Sequence, residues 1–199
     1  MKFFTSDTHF YHYNIIEICN RFSIGYRNKQ EANDYMNELL IERWNSKISQ
    51  TDEVYHMGDF FWCGAAKAKA ILDRLNGIKF WIRGNHDKPG DLADQFVWVK
   101  DYYPLNVHDN FEDADGDIKQ YHQPIILCHF PLLSWDRMAH GSWHLHGHCH
   151  GSIDNTWNRT GLRKDVGVDT NGLYPYNYEE IKRHMTLRTV VPVDNHVPK

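Results

Sequence analysis

Lys79-Phe80-Trp81-Ile82-Arg83-Gly84-Asn85-His86-Asp87 sets an apolar, aromatic run against a glycine and then a polar quartet. A run of this kind bounded by a glycine reads as a buried strand, and the glycine lets the chain turn sharply at its end. The same signature recurs along the chain. Lys2–Ser6 leads to Asp7-Thr8-His9, Glu53–Met57 to Gly58-Asp59, Ile125–Cys128 to His129, and Trp143–His146 to Gly147-His148-Cys149-His150. In open α/β sheets, ligand sites assemble at the carboxyl ends of strands. Five polar clusters at five strand ends therefore predict one site.

Between these strands, His12–Asn20, Gln30–Ile48 and Ala65–Leu75 read as helices. The second carries Ala32, Tyr35, Met36, Leu39, Leu40 and Trp44 near helical spacing, and the third is closed by Asn76-Gly77. Past residue 95 the pattern turns mostly to strands: Phe96–Lys100, Leu105–Val107, Ile118–Tyr121, Ile125–Cys128, Trp143–His146 and Leu162–Val168. Tyr178–Met185 is a late helix, and the tail from about 191 is expected to be loose. A β-α-β-α-β half followed by a more antiparallel half fits an α/β fold of two sheets packed face to face and flanked by helices. No repeat or linker divides the chain, so residues 1–199 are read as a single domain.

Composition limits the function classes. At 41% hydrophobic and 24% charged residues, a disordered chain is not expected. A net charge of −4 argues against general duplex binding, which needs a basic face. No apolar run approaches the roughly 18 residues of a membrane span, so no membrane partner is expected. Lys2 leads directly into a strand rather than a secretory leader, and Cys19, Cys63, Cys128 and Cys149 form no C-x-x-C pair. They read as reduced thiols of a cytoplasmic protein. Histidine stands out at 14 residues, four of them between Trp143 and Gly151. Imidazoles packed that closely resist common protonation, and a metal relieves the conflict.

The clusters supply carboxylates, an amide carbonyl and imidazoles without thiolate pairs. That mixture suits divalent Mn, Fe, Co, Ni or Zn and disfavours a closed structural zinc. Residues two apart on an extended segment share a face, so Asp7 with His9, and His148 with His150, can reach one centre while Cys149 points away.

In this order the clusters D-x-H, G-D, G-N-H-D, H and G-H-x-H resemble the calcineurin-like metallophosphoesterase superfamily, from residue 7 to residue 150. The resemblance implies a four-layer α-β-β-α sandwich and two divalent ions, manganese foremost. By the same resemblance Asp7, His9 and His150 hold the first metal, Asn85, His129 and His148 hold the second, and Asp59 bridges them. His86 is implied to contact the phosphate and protonate the leaving oxygen, with Asp87 orienting it and a bridging hydroxide as nucleophile. Paired cations about 3.5–4 Å apart can clamp both sides of an in-line displacement at phosphorus.

Several residues keep two readings. His144 and His146 are supporting or core residues more than ligands, and His56 reads as a satisfied core histidine. Asp113–Asp117 reads as a hairpin turn, since its glycine is misplaced for a calcium loop. Substrate contacts are sought in His12, Trp135, Arg137 and His140, with Trp135 either stacking a base or packing its loop down. Phe10 and Trp62 are further candidates for a wall. Small members of the resembled family act on nucleotides and phosphodiesters, so the expected partner is a small phosphate ester, a nucleotide or a nucleic-acid end. A phosphomonoesterase and a non-catalytic metal-containing interaction module are the alternatives.

Overall fold

The structure, a computed structural model, describes residues 1–22, 25–112, 114–153 and 161–191. Two mixed sheets form its centre. The first comprises β1 (Lys2–Thr5), β2 (Glu53–His56), β3 (Ile78–Ile82), β4 (Val99–Lys100) and β9 (Tyr176–Asn177), in the order β4-β3-β2-β1-β9. β1 to β4 run parallel and β9 closes the edge antiparallel. The second comprises β5 (Tyr102–Glu112), β6 (Ile118–Cys128), β7 (Trp143–His146) and β8 (Arg163–Asp165) in sequence order. Here β5 and β6 form an antiparallel hairpin, with β7 and β8 added in parallel.

Period-two alternation sorts the side chains. Phe3, Val54 and Trp81 face outward beneath α1 (Tyr13–Ile18), α2 (Lys29–Lys47) and α3 (Ala65–Leu72). Phe4, Tyr55 and Ile82 face inward against Leu105, Ile125, Leu127 and Leu145 of the second sheet. Strands of the first sheet are thus covered on both faces, as parallel strands require. α2 buries Ala32, Met36, Leu40, Ile41 and Trp44 along one stripe, and Asn28 caps it by accepting from the Glu31 amide at 3.0 Å. α4 (Tyr178–Thr186) starts with a capping box of Asn177 and Glu180 and presses Tyr178, Ile181 and Met185 into the inter-sheet core. The α/β class with two mixed sheets and flanking helices is as read from the sequence. On the outer face of the second sheet, the cover among the described residues is the segment after β6, which seats Trp135 and Met138 on Ile126.

Three strand readings are corrected. The two runs expected at Ile118–Tyr121 and Ile125–Cys128 are one strand, β6. Pro124 is tolerated inside it because the pairing with β7 begins only at Ile125. Phe96–Lys100 shrinks to Val99–Lys100, behind a 3-10 turn at Gly90–Gln95. Leu162–Val168 shrinks to Arg163–Asp165, because Asp165 turns its buried carboxylate back onto the amides of Gly151 and Gly167 at 2.9 and 2.8 Å. The hairpin reading of Asp113–Asp117 agrees with the pairing of Glu112 with Ile118, although Asp113 itself lies outside the described residues. The expected loose tail from 192 onward also lies outside them. Among the described residues, no helix is long and apolar enough to cross a membrane.

Candidate metal centre

The strands end where the sequence places the clusters, and main-chain bonds knit the ends together. Asp7 N–H donates to Gly58 O at 2.9 Å, His9 N–H to Asp59 O at 3.1 Å, and Gly147 N–H to His129 O at 2.9 Å. Asp7, His9, Asp59, His148 and His150 all hold left-handed backbone, with φ between 48° and 70°. Each such residue costs on the order of 1–3 kcal/mol, and strain of this kind gathers at functional sites. Two glycines make the close approach possible. A Cβ on Gly84 would fall 2.1 Å from Asp59 Oδ1, and one on Gly147 would fall 2.3 Å from Asp7 Oδ2.

Two donor groups result at the strand ends, and a third, of Cys19, His150 and Asp169, shares His150 with the first. Ligand atoms of Asp7, His9 and His150 lie within 4.8 Å of one another, as do those of Asp7, Asp59 and His129. Asp59 Oδ2 sits 3.8 Å from His9 Nε2 and 3.6 Å from His129 Nε2, between the two groups. Asn85 Oδ1 lies 3.0 Å from both His129 Nε2 and His148 Nδ1. His9 Nε2 is buried with no hydrogen-bond partner, which is costly for a polar atom unless a cation takes its lone pair. The donors therefore fit divalent cations bound by oxygen and nitrogen. All seven residues proposed as ligands from the sequence converge here.

The two residues read from the sequence as catalytic are arranged differently from expectation. His86 is exposed at the mouth of the site, its ring 6.1 Å from that of His9, and its backbone N–H donates to Asp59 Oδ1 at 3.0 Å. Asp87 does not hold the His86 ring. Its carboxylate is taken up by the amides of Asp59, Phe60 and Gly84 and by the Trp81 indole N–H, at 2.7 to 3.0 Å. Asp87 is thus a clamp joining the loops after β2 and β3.

Comparison with known proteins shows the family. The calcineurin-like phosphoesterase family profile matches residues 3–188. The chain belongs to that family. It is 44% identical over 188 residues to an uncharacterized protein of Methanocaldococcus jannaschii, covering 93% of this chain and 88% of that one. It is 29% identical over 196 residues to the Gene 66 protein of Mycobacterium phage L5, covering 85% and 86%. A crystal structure of an Aquifex aeolicus protein of unknown function superposes with a TM-score of 0.60 at 23% identity, over 92% of this chain and 98% of that one, and shares the fold.

Sequence reasoning missed the residues that brace this calcineurin-like centre from behind. His150 Nδ1 lies 2.7 Å from Asp169 Oδ2, and Asp169 in turn receives Arg21 Nε and Nη2 at 2.8 and 2.9 Å. Arg21 also donates to the carbonyls of Asp7 and Thr8 at 2.7 and 2.8 Å, tying the first cluster to the same strut. Asp169 closes the apolar run Val166-Gly167-Val168, so the strand-end signal was present there too. Arg21 stands alone in sequence and left no signal.

Charge in the centre follows burial. Burial pushes the Asp7 carboxyl up to about 8, against the pull of His150. It holds His9, His129 and His148 below the ordinary imidazole range. Burial works against the charge on His150 as well, yet the bond to Asp169 and the nearby Cys19 raise it to about 10. Asp169 is lowered despite its burial by His150 and Arg21.

The substrate-side expectations divide. Trp135 is only 7% exposed, donates its indole N–H to Ser142 O at 3.1 Å and packs on His144. It packs its loop down, and no open face is left for a base. Phe10 is fully buried in the helix-side core, so it forms no wall. Arg137 and His140 are exposed around the 3-10 turn Met138–His140. His12 stands at the start of α1 with Nδ1 3.1 Å from His9 Nδ1, and its ring stacks on Trp62 at 4.1 Å and 8°. Trp62, 44% exposed, reaches within 4.6 Å of the His86 ring. His144 and His56 are buried and hydrogen-bonded within the core, as expected; His146 is buried beside His144.

Proposed function

We propose that this chain hydrolyses phosphate esters, and phosphodiesters of a nucleotide or nucleic-acid end in particular. The carrying observation is the pair of donor groups that share Asp7, with Asp59 Oδ2 3.8 Å from His9 Nε2 of one and 3.6 Å from His129 Nε2 of the other, and His86 exposed beside them. Divalent cations there, manganese foremost, would supply Lewis-acid charge and make water nucleophilic at neutral pH. Asp7, His9 and His150 would hold one, Asn85, His129 and His148 the other, and Asp59 both. The chain's own chemical step falls to His86. As the water oxygen bonds to phosphorus and the ester P–O bond breaks, the His86 imidazolium delivers a proton to the departing oxygen, while the proton given up by the attacking water passes to solvent, from which the imidazole is protonated again. Asp87 keeps the two loops beneath that imidazole in register.

The preference for diesters rests on how few cationic clamps there are, Lys88 in the cavity beside His86 being the one lysine or arginine among its described lining residues. A monoester dianion calls for extra positive donors over the phosphate. Arg83 pairs with Asp101 at the surface through two bonds, and Arg21 is spent on Asp169 and the main chain. With Mn²⁺, bis-(p-nitrophenyl) phosphate should be turned over with a higher kcat/KM than p-nitrophenyl phosphate at matched pH. A clear preference for the monoester would make the protein a phosphomonoesterase, and turnover of neither would sink the hydrolase reading.

A further inference from the structure

Beside His86 the surface opens into a cavity of about 570 Å³, inside the roughly 300–1,000 Å³ range of small-molecule sites. Asn85, His86 and Asp87 line it, the Asp87 carboxylate being taken up by the amides of the two loops, Trp62, Cys63 and Leu92 give it apolar walls, and Lys88 is the one lysine or arginine among its described lining residues. One face of the Trp62 indole is already covered by the parallel His12 ring, while the side chain still borders the cavity. Burial raises the Cys63 thiol to about 11, so that wall stays neutral. The cavity thus offers a flat, rigid, braced aromatic surface and a separate positive charge, on the side of the site where His86 stands.

We infer that this cavity is a nucleotide subsite, taking the arm of the diester that departs. The inference rests on the phosphodiesterase reading, in which His86 serves the leaving oxygen: the group nearest His86 is then the leaving group, and the cavity adjoins His86. A base stacks on Trp62, and a second phosphate on the same arm reaches Lys88. A bare alcohol would use neither feature.

Binding to the manganese-loaded protein tests this without turnover. Calorimetric titration with adenosine 5′-monophosphate, adenosine and inorganic phosphate is compared among wild type, Trp62→Ala, Trp62→Phe and Lys88→Ala. Loss of one base–aromatic stack predicts that Trp62→Ala weakens adenosine 5′-monophosphate by roughly fivefold to a hundredfold. Trp62→Phe should restore most of that affinity, inorganic phosphate should be indifferent to Trp62, and Lys88→Ala should weaken the nucleotide more than the nucleoside. Equal nucleotide affinity in wild type and Trp62→Ala would overturn the subsite, as would a nucleotide bound no more tightly than phosphate. If aryl esters are not hydrolysed but the Trp62 effect on binding is seen, the nucleotide site stands and the hydrolase reading falls. If aryl diesters are hydrolysed with no Trp62 effect on binding, the hydrolase reading stands and the subsite falls.

Discussion

His9 shows most plainly what the residues of this site are for. Its Nε2 is buried and unpartnered, its backbone is left-handed, and burial holds it neutral. A lone pair kept free at that cost suits a metal ligand. Each of the seven candidate ligand positions was legible in the sequence because glycines and short polar motifs follow directly on apolar strands. Roles away from the strand ends were less legible. Trp135 sits in the loop after β6, whose burial depends on the outer face of that strand's own sheet, and nothing local in the sequence tells stacking on a base from packing on His144. His86 is exposed like Asn85 and His148, but those two are tied to His129 through Asn85 Oδ1 at 3.0 Å, whereas the His86 ring stands 6.1 Å from that of His9. His86→Ala should therefore retain metal while turnover falls roughly 10²–10⁴-fold, the loss being smaller for nitrophenyl leaving groups, which need little protonation. Metal analysis beside steady-state kinetics checks this. Loss of an ion in the variant would make His86 a ligand.

Elements matter as the means of aiming those residues. β1, β2 and β3 are parallel neighbours in register, so their carboxyl ends lie side by side, and β6 and β7 bring the second sheet's clusters to the same edge. The helices and the parallel half were readable from periodicity, whereas the extents of β4, β6 and β8 were not. Those depend on which neighbouring strand is present at a given residue and on side chains such as Asp165 that turn back onto the main chain. The same holds for the strut from Arg21, in the segment after α1, through Asp169 to His150. An imidazole bonded behind by a carboxylate is fixed in tautomer and direction, and losing such a partner typically costs roughly 10–100-fold in metal affinity. Asp169→Asn should weaken Mn²⁺ binding by that order, with helical content unchanged by circular dichroism. Undiminished affinity would reduce the strut to a packing feature.

Across the whole molecule, proton and metal binding are coupled. Burial pushes Asp7 up to about 8, and the bond to Asp169 holds His150 up at about 10 against its burial, both above their ordinary values of 3.8 and 6.5. Groups raised on folding stabilise the fold fully below their unfolded values and lose that contribution as pH climbs through the folded ones. The metal-free protein should therefore lose thermal stability as pH rises from about 6.5 to 10, visible as a falling Tm. Ligands that hold protons must release them to bind a cation, so Mn²⁺ affinity should rise from pH 6 to pH 8 with measurable proton release. A flat Tm and a pH-independent affinity would contradict both statements. The central claim is that one carboxylate, Asp59, joins two cation sites, and counting bound Mn²⁺ by equilibrium dialysis tests it most directly. Two ions per wild-type chain are expected, with Asp59→Asn weakening both together. One ion per wild-type chain, or a variant that still holds two ions at undiminished affinity, would contradict it.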